Sequence, residues 1–393
     1  MNHQHSPSNP LTKFFLAGPG PGLLLIFCVI ISLFIANSPL NSGFEEILNF
    51  KFGFHSESIH LKYTTLTWIN DGLMAIFFLL VGLEIKKELV EGELATPKKA
   101  ILPIFGALGG VIFPALLFTL FNFGLPTLKG WATPMATDIA FALAIVSILG
   151  DKVPTSLKVF LAALAIVDDL MAIIVIALFY ATALNFLYLG IAAAITAGMV
   201  IFNRIGVKNL AFYLIPGLLI WYFIHHSGIH ATIAGVITAF CIPLHHKSGS
   251  SPLEDLVAAI SHPVNLVIMP IFALVNTNIT FMDGMIEGLT SPLSYGIIIG
   301  LVIGKPLGIT LFSIISIKTG ICTAPEKASL SHMIGVGMLA GIGFTMSIFI
   351  AVLSFSGDPL LLGESKFAIL LASITSATVG SVYLSYLHKK RNV

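Results

Sequence analysis

The sequence predicts an all-α membrane protein with about twelve transmembrane helices. Of its 393 residues, 56% are hydrophobic and only 10% are charged, whereas soluble domains carry about 25% charged residues. The mean hydropathy is +0.96. The apolar residues also fall into repeated runs that are long enough to cross a hydrocarbon layer about 30 Å thick. Together these features indicate a chain that crosses a membrane many times.

The apolar runs follow one another with mostly short connections. We therefore expect a single membrane domain over residues 1–393, with no soluble domain. The predicted spans are 20–36, 66–85, 101–123, 131–149, 157–181, 185–202, 210–225, 228–243, 259–278, 294–316, 329–353 and 366–387.

Basic residues are unevenly divided between the two sides predicted for the connecting segments. If both ends of the chain face the cytoplasm, the inside segments hold 15 Lys and Arg residues and the outside segments hold four, with Lys305 inside a span. Cytoplasmic loops of membrane proteins carry such an excess of positive charge. We therefore expect an even number of spans and cytoplasmic termini. The net charge of +1 indicates no surface for nucleic acid.

Residues 46–63 form the first predicted outside connection and alternate apolar with polar side chains around a polar turn. Alternation with a period of two predicts a β-hairpin. Two interpretations stay open for this hairpin. It either lies on its own protein as a loop, or offers its edge to a second subunit, because an unpaired strand edge accepts another strand.

Four ionisable residues lie deep within predicted spans. Asp168 and Asp169 are adjacent in the middle of the fifth span, Asp138 lies in the fourth, and Lys305 lies in the tenth. A charge at the bilayer centre costs about 2.5–3.5 kcal/mol on insertion scales. A static cluster needs one acid for each base, but here three acids face one lysine. The surplus carboxylates must bind protons or a cation, and sodium suits such hard oxygen ligands.

Two predicted spans carry helix-breaking residues. The fourth contains "TPMATD", residues 133–138, and the eleventh contains "GVGMLAGIGFTMS", residues 335–347. Ordinary packing of glycines between helices is one explanation for the eleventh. Interrupted helices at matching places in two halves instead indicate the binding site of a secondary transporter. In such a site Asp138 would offset the positive ends of half-helices and Lys305 the negative ends.

These stretches resemble the bacterial NhaA family of sodium/proton antiporters. The resemblance runs in collinear order from about residue 12 to 387. The segments that carry it are "NDGLMAIFFLLVGLEIKKELVEGEL" (70–94), "GWATPMATDIAFALAI" (130–145), "LKVFLAALAIVDDLMAIIVIALFY" (157–180), "SGIHATIAGV" (227–236), "GKPLG" (304–308) and "GIGFTMSIFI" (341–350).

The resemblance implies an electrogenic, pH-regulated antiporter of the bacterial inner membrane that exports sodium or lithium, with about two protons entering per ion. It implies inverted repeats of helices three to five and ten to twelve, with the unwound fourth and eleventh crossing at the ion site. Asp168 and Asp169 match the family's cation and proton carriers, and Asp168 is thought to pair with Lys305. Thr137 and Asp138 match residues at the crossing and near the ion, and we therefore expect them to bind the ion or protons together with Asp168 and Asp169. No cofactor is implied beyond the transported ions.

The resemblance also implies a homodimer joined through the outside hairpin, residues 46–63, which favours the second interpretation of that segment. Glu84, Lys87 and Glu88 match part of a cytoplasmic cluster that tunes the family's response to pH. His230 matches a histidine that affects the same response.

The sequence departs from the family near the start of the ninth span. There the family's glutamate falls on Ala258 and its neighbouring histidine on Ala259. Glu254 and Asp255, one turn earlier, are candidate substitutes. We therefore expect activation at a shifted pH or over a less steep range.

Three rival functions fit the sequence less well. An intramembrane aspartyl protease needs two aspartates that flank one peptide carbonyl, and adjacent residues on one helix are poorly placed for this. A sodium-coupled solute symporter, the main alternative, needs a polar solute pocket that the sequence does not indicate. A passive cation channel would be opposed by the buried lysine, and no ring-forming filter repeat is visible. The sequence therefore predicts a transporter and not an enzyme.

Overall fold

The computed structural model describes residues 20–56, 60–181, 183–244, 251–281, 288–325 and 329–391. Within these ranges the chain is almost entirely helical, with one two-stranded sheet. The two ends of the chain, which the sequence predicts to be cytoplasmic, lie outside the described residues. The same holds for three of the predicted inside charges, Lys13, Lys247 and Lys327.

The fourteen helices discussed here are named in chain order. They are α1 (Gly20–Ala36), α2 (Asn41–Asn49), α3 (Thr65–Val90), α4 (Pro97–Asn122), α5 (Ile139–Leu149), α6 (Thr155–Phe179), α7 (Phe186–Arg204), α8 (Ala211–Ser227), α9 (Ile233–Cys241), α10 (Pro252–Asn276), α11 (Pro292–Lys318), α12 (Leu330–Ala340), α13 (Phe344–Phe355) and α14 (Pro359–Arg391). Short 3₁₀ turns precede α5 at Pro126–Gly130 and Thr133–Met135 and follow it at Gly150–Lys152.

Among the described residues, eight helical segments are long and apolar enough to cross a membrane, and ten if each of two bent helix pairs counts as one span. The bent pairs are α1 with α2, at 108°, and α12 with α13, at 48°. The predicted seventh and eighth spans correspond to α8 and α9. These helices have 17 and 9 residues, so both are shorter than the 18 residues required of the spans counted above. The all-α polytopic membrane class that the sequence predicts is confirmed.

The described hairpin is shorter than the segment in which the sequence predicts it. Strand β1 (Lys51–Phe52) pairs antiparallel with β2 (Tyr63–Thr64), and His55 forms an isolated bridge with His60. The predicted segment began at residue 46, but residues 46–49 continue helix α2. Residues 57–59 lie outside the described part of the chain.

The chain divides into two compact units. The first takes the chain up to Ile31, Thr96–Asp168, and the chain from Phe281 onward; the second takes Ser32–Ala95 and Asp169–Thr280. The division falls within α6, between the two aspartates that the sequence singles out.

The core of the first unit includes a close approach of α4 and α11. A Cβ on Gly109 would collide with the carbonyl oxygen of Gly308, and a Cβ on Gly308 would collide with that of Gly109. Only glycine at both positions allows these backbones to touch, as small residues do between membrane helices. This contact fixes α11, which carries Lys305, against α4.

In the second unit, glycines likewise allow α3 to pack closely against α9. A Cβ on Gly82 would lie 2.8 Å from the Ala239 side chain, and one on Gly235 would reach the backbone of Ala75. The short helix α9 is thereby held beside the long helix α3.

Candidate ion-binding site

The fourth predicted span is interrupted where the sequence indicates. A 3₁₀ turn over Thr133–Met135 ends in extended backbone at Ala136, and α5 begins only at Ile139. Pro134 lies inside the 3₁₀ turn, where its ring is compatible with the first turn of a helix but removes one backbone donor. Asp138 is the N-cap of α5, and its carboxylate accepts a hydrogen bond from Phe141 N at 2.9 Å.

The eleventh predicted span is interrupted as well, and the two breaks meet. Helix α12 ends at Ala340 and α13 begins at Phe344. Asp138 N donates to the carbonyl oxygen of Ile342 at 2.7 Å. The Thr137 hydroxyl donates to the carbonyl oxygen of Ala340 at 2.9 Å. The two breaks therefore satisfy backbone groups of each other, as unwound backbone at membrane depth requires.

The carboxylate of Asp138 lies at the N-termini of two helices at once. Besides Phe141 N of α5, it accepts from both the backbone N and the hydroxyl of Thr345, in the first turn of α13, at 3.1 and 2.5 Å. Asp138 is 1% exposed. Helix N-termini carry partial positive charge and stabilise an anion. Hydrogen bonds to an ionised acceptor are also the stronger kind.

Lys305 forms the cationic part of the site. Its ammonium lies 2.7 Å from Asp168 Oδ2, and both side chains are fully buried. It also donates to the carbonyl oxygen of Met135, at the end of the 3₁₀ turn in the fourth span. The absence of a side chain on Gly110 leaves space for Ile309, since a Cβ there would lie 2.9 Å from Ile309 Cγ1. The lysine thus faces a carbonyl at the end of a helical turn.

Asp169 follows Asp168 on α6 and is also 1% exposed. The structure brings Thr137, Asp138, Asp168 and Lys305 together within the first unit, and Asp169 is the next residue along the same helix. The sequence predicted each of these as a site residue. Their functional roles stay predictions.

Sequence reasoning did not assign Thr345 to the site. A signal was present in the sequence, because Thr345 lies two residues after the glycine-rich break at residues 341–343, where a helix must restart. A hydroxyl in the first turn of a restarting helix is well placed to meet an anion that caps the same turn.

Three residues predicted to set the pH response lie at the end of α3 in the second unit. Lys87 Nζ forms an ion pair with Glu254 Oε1 at 2.6 Å, with both side chains nearly half exposed. Glu88 Oε2 accepts a hydrogen bond from Glu93 N at 2.8 Å. Glu84 lies about one helical turn before Glu88 and is partly buried. Lys87 therefore contacts Glu254, one of the two acids that the sequence suggests as substitutes for the family's glutamate at Ala258.

His230 lies elsewhere in the second unit. Its Nε2 is 3.5 Å from Asp71 Oδ1, and its Nδ1 is 2.9 Å from the Thr232 hydroxyl. A second histidine, His225, approaches the other oxygen of Asp71 at 3.6 Å. Two histidines of the second unit therefore approach one carboxylate.

Comparisons with known proteins show the family of this chain. A sequence profile described as "Na+/H+ antiporter 1" matches residues 12–384. The protein named Na(+)/H(+) antiporter NhaA 2 from Flavobacterium johnsoniae is 55% identical over 97% of this chain and 93% of its own length. Proteins named Na(+)/H(+) antiporter NhaA from Yersinia enterocolitica and Shewanella pealeana are 48% and 47% identical, over 98% and 93% of this chain and 99% and 94% of their own lengths. The chain therefore belongs to the NhaA family of sodium/proton antiporters.

Proposed function

We propose that this protein exports sodium or lithium ions in exchange for protons, at a site formed by Asp168 and Asp169. One observation carries the proposal. Two adjacent carboxylates are each 1% exposed, and one of them is held by Lys305. Buried carboxylates need a proton or a cation to offset their charge. A site that accepts either, but not both together, exchanges them.

The neighbouring charges suggest a division of roles. Asp138 accepts hydrogen bonds from two helix N-termini and a hydroxyl, so it needs no transported ion to remain stable as an anion. Asp168 pairs with Lys305 when no ion is bound and with the ion when one is bound. Asp169 carries the remaining proton or sodium ion, with Thr137 as a further oxygen ligand.

The cycle follows from the cost of moving charge across the membrane. The deprotonated site takes sodium from the cytoplasm. A conformational change then exposes the site to the outside, where protons displace the ion. Only a loaded site, with its charge offset, crosses cheaply. We expect about two protons to enter for each sodium ion, so that the exchange is electrogenic.

The setting is part of the proposal. The protein acts in the bacterial inner membrane with both termini cytoplasmic, as the excess of basic residues in the inside segments favours. Glu84, Lys87, Glu88 and His230 tune activity with pH. The hairpin joins two copies of the chain into a homodimer.

The alternative of a sodium-coupled solute symporter is not favoured. Each of the relatives described above is named an antiporter. At the two breaks, Thr137, Asp138 and Thr345 are engaged with one another or with backbone groups. A solute that bound through these groups would have to break those contacts.

The proposal is tested in inside-out membrane vesicles acidified by respiration and followed with a pH-sensitive dye. Sodium or lithium should collapse the acid gradient with the wild type and should not do so with Asp169→Asn. The matched control is Asp151→Asn, which changes an exposed aspartate outside the site and should exchange as the wild type does. Sodium-dependent proton movement that survives in Asp169→Asn refutes the assignment.

A further inference from the structure

Two histidines face each other near the turn of the hairpin. His55 and His60 form an antiparallel bridge that continues the register of β1 and β2. Their Nδ1 atoms lie 3.1 Å apart, and the centres of the two rings lie 4.7 Å apart. Both residues are exposed and precede helix α3, which begins the next membrane span. Solvent therefore reaches two imidazole nitrogens that lie side by side.

The backbone holds the two histidines in this arrangement. Gly53 has a φ of 124°, and a Cβ on it would collide with the carbonyl oxygen of Leu61, so only glycine allows the two chain segments to approach so closely. Leu61 N donates to Phe54 O at 2.9 Å. The Tyr63 hydroxyl donates to His60 O at 2.7 Å. These contacts order the pair without involving the imidazole rings, so a ligand of the rings meets a preorganised site.

The separation of the two nitrogens suits two ligands of one metal ion. Zinc–imidazole bonds are about 2.0–2.1 Å long, so two nitrogens at a tetrahedral angle lie about 3.3 Å apart, and two at a right angle about 2.9 Å apart. The observed 3.1 Å lies between these values. A neutral imidazole can carry its hydrogen on Nε2, which leaves a lone pair on Nδ1 for a metal. Because both rings are exposed, small rotations can aim both lone pairs at a shared ion.

A direct hydrogen bond between the rings is the other explanation of this distance. One Nδ1 would then donate to the other. Such a bond contributes only about 0.5–1.5 kcal/mol, because water can satisfy both exposed nitrogens in its place. The two explanations differ in a measurable way, since only a shared metal ion makes the binding of that ion depend on both histidines.

We propose that His55 and His60 together bind one divalent transition-metal ion, such as zinc, on the hairpin. Imidazole ligands suit zinc, copper and nickel, whereas magnesium prefers oxygen. Among the described residues, no third histidine, cysteine or carboxylate joins the pair as a metal ligand, so water completes the coordination, as at zinc sites that keep an open position. The site is distinct from the buried aspartates, and the inference does not rest on the proposed exchange.

An ion at this place ties the two halves of the hairpin together across the turn. A ligand that binds only the paired form of the hairpin stabilises that form by mass action. Metal binding requires deprotonated ligand atoms, so the affinity should fall as the pH is lowered. The hairpin should therefore be most stable with metal at neutral or alkaline pH.

The test uses the full-length protein, purified in detergent without a histidine tag and freed of metal by a chelator. Zinc binding is measured by calorimetry at neutral pH for the wild type, His55→Gln, His60→Gln and the double variant. The matched control is His262→Gln, which changes an exposed histidine of α10 and leaves the hairpin intact. Copper(II), which binds such ligands more tightly than zinc, reveals its ligand atoms by electron paramagnetic resonance. Magnesium serves as the ion that should not bind.

The wild type and His262→Gln should each bind one zinc ion per chain more than the double variant. Each single variant should lose this ion as completely as the double variant does. Its affinity should fall at least about tenfold, because removing even an outer partner of a metal ligand costs about 10- to 100-fold. The copper signal should show two coupled nitrogens in the wild type and should lose this pattern in either single variant.

Two results would overturn the proposal. Equal zinc binding by the wild type and the double variant would show that the hairpin binds no metal. Single variants that each keep an ion of their own would show that the two histidines act independently. If a glutamine variant melts below the wild type without metal, His55→Asn and His60→Asn take its place in the same comparison. Sodium-dependent proton movement is measured separately, so its absence would refute the exchange and leave the metal site standing.

Discussion

The Lys305 ammonium lies 2.7 Å from Asp168 Oδ2, and neither side chain is exposed. Two opposite charges removed from water attract each other strongly, but each has also lost its hydration. The pair is therefore stable only while both partners are present. In the proposed cycle, an arriving cation or proton replaces the lysine at the carboxylate.

Removing one partner of this pair should destabilise the protein. Lys305→Met leaves Asp168 buried without its cation and should lower the free energy of unfolding by about 3–5 kcal/mol. The double variant Lys305→Met with Asp168→Asn should recover much of that loss. The melting temperatures of the single and the double variant in detergent measure these changes in stability. A double variant no more stable than Lys305→Met would contradict the pairing energetics.

Thr345 should matter for Asp138 in a graded way. Thr345→Ala removes the hydroxyl donor but keeps the backbone donor, so we expect a loss of about 1.5–3 kcal/mol in stability, as for a hydrogen bond to a charged group. Thr133→Ala is the control, because the Thr133 hydroxyl is fully buried but has no hydrogen-bond partner among the described residues. Equal melting temperatures for the two variants would refute this role of Thr345.

The departure at Ala258 should alter how activity depends on pH. With alanine there, Lys87 is paired with Glu254, and that pair is nearly half exposed, so it contributes little. Restoring the family's acid with Ala258→Glu should shift the activation curve or make it steeper. Exchange rates of the wild type and of Ala258→Glu are measured from pH 6.5 to 8.5 and compared. Coinciding curves would show that the departure has no effect on activation.

The hairpin should control assembly and not exchange. Phe50 and Phe54, next to the paired strands, are 64% and 61% exposed. Phe50→Asp with Phe54→Asp should disfavour an apolar contact between two copies. Light scattering in detergent should then report a monomer. The control is Phe123→Asp, which changes an 80% exposed phenylalanine after α4 and should leave a dimer. A dimer that persists in the double variant would contradict the proposal.

Much of the architecture was predictable because the bilayer imposes simple rules. Long apolar runs gave the helices, and the proline and glycine clusters located the interruptions before Asp138 and after Ala340. The buried acids and Lys305 stood out because charges in apolar runs are costly.

Other features depend on contacts between distant parts of the chain. Asp138 and Thr345 are 207 residues apart, and no local pattern says that their helices restart side by side. The short helix α9 was predicted as a full span because apolar composition continues past its ends. The start of the hairpin was misplaced because residues 46–49 suit an amphipathic helix as well as a strand.

The central claim is that sodium and protons compete for Asp168 and Asp169. It is tested most directly by adding sodium to the purified protein in weakly buffered detergent solution and recording released protons with a pH dye. We predict that sodium releases protons from the wild type and from Asp151→Asn, and that Asp169→Asn releases none. Equal release from Asp169→Asn would contradict the claim, since the competing proton would then lie on another group.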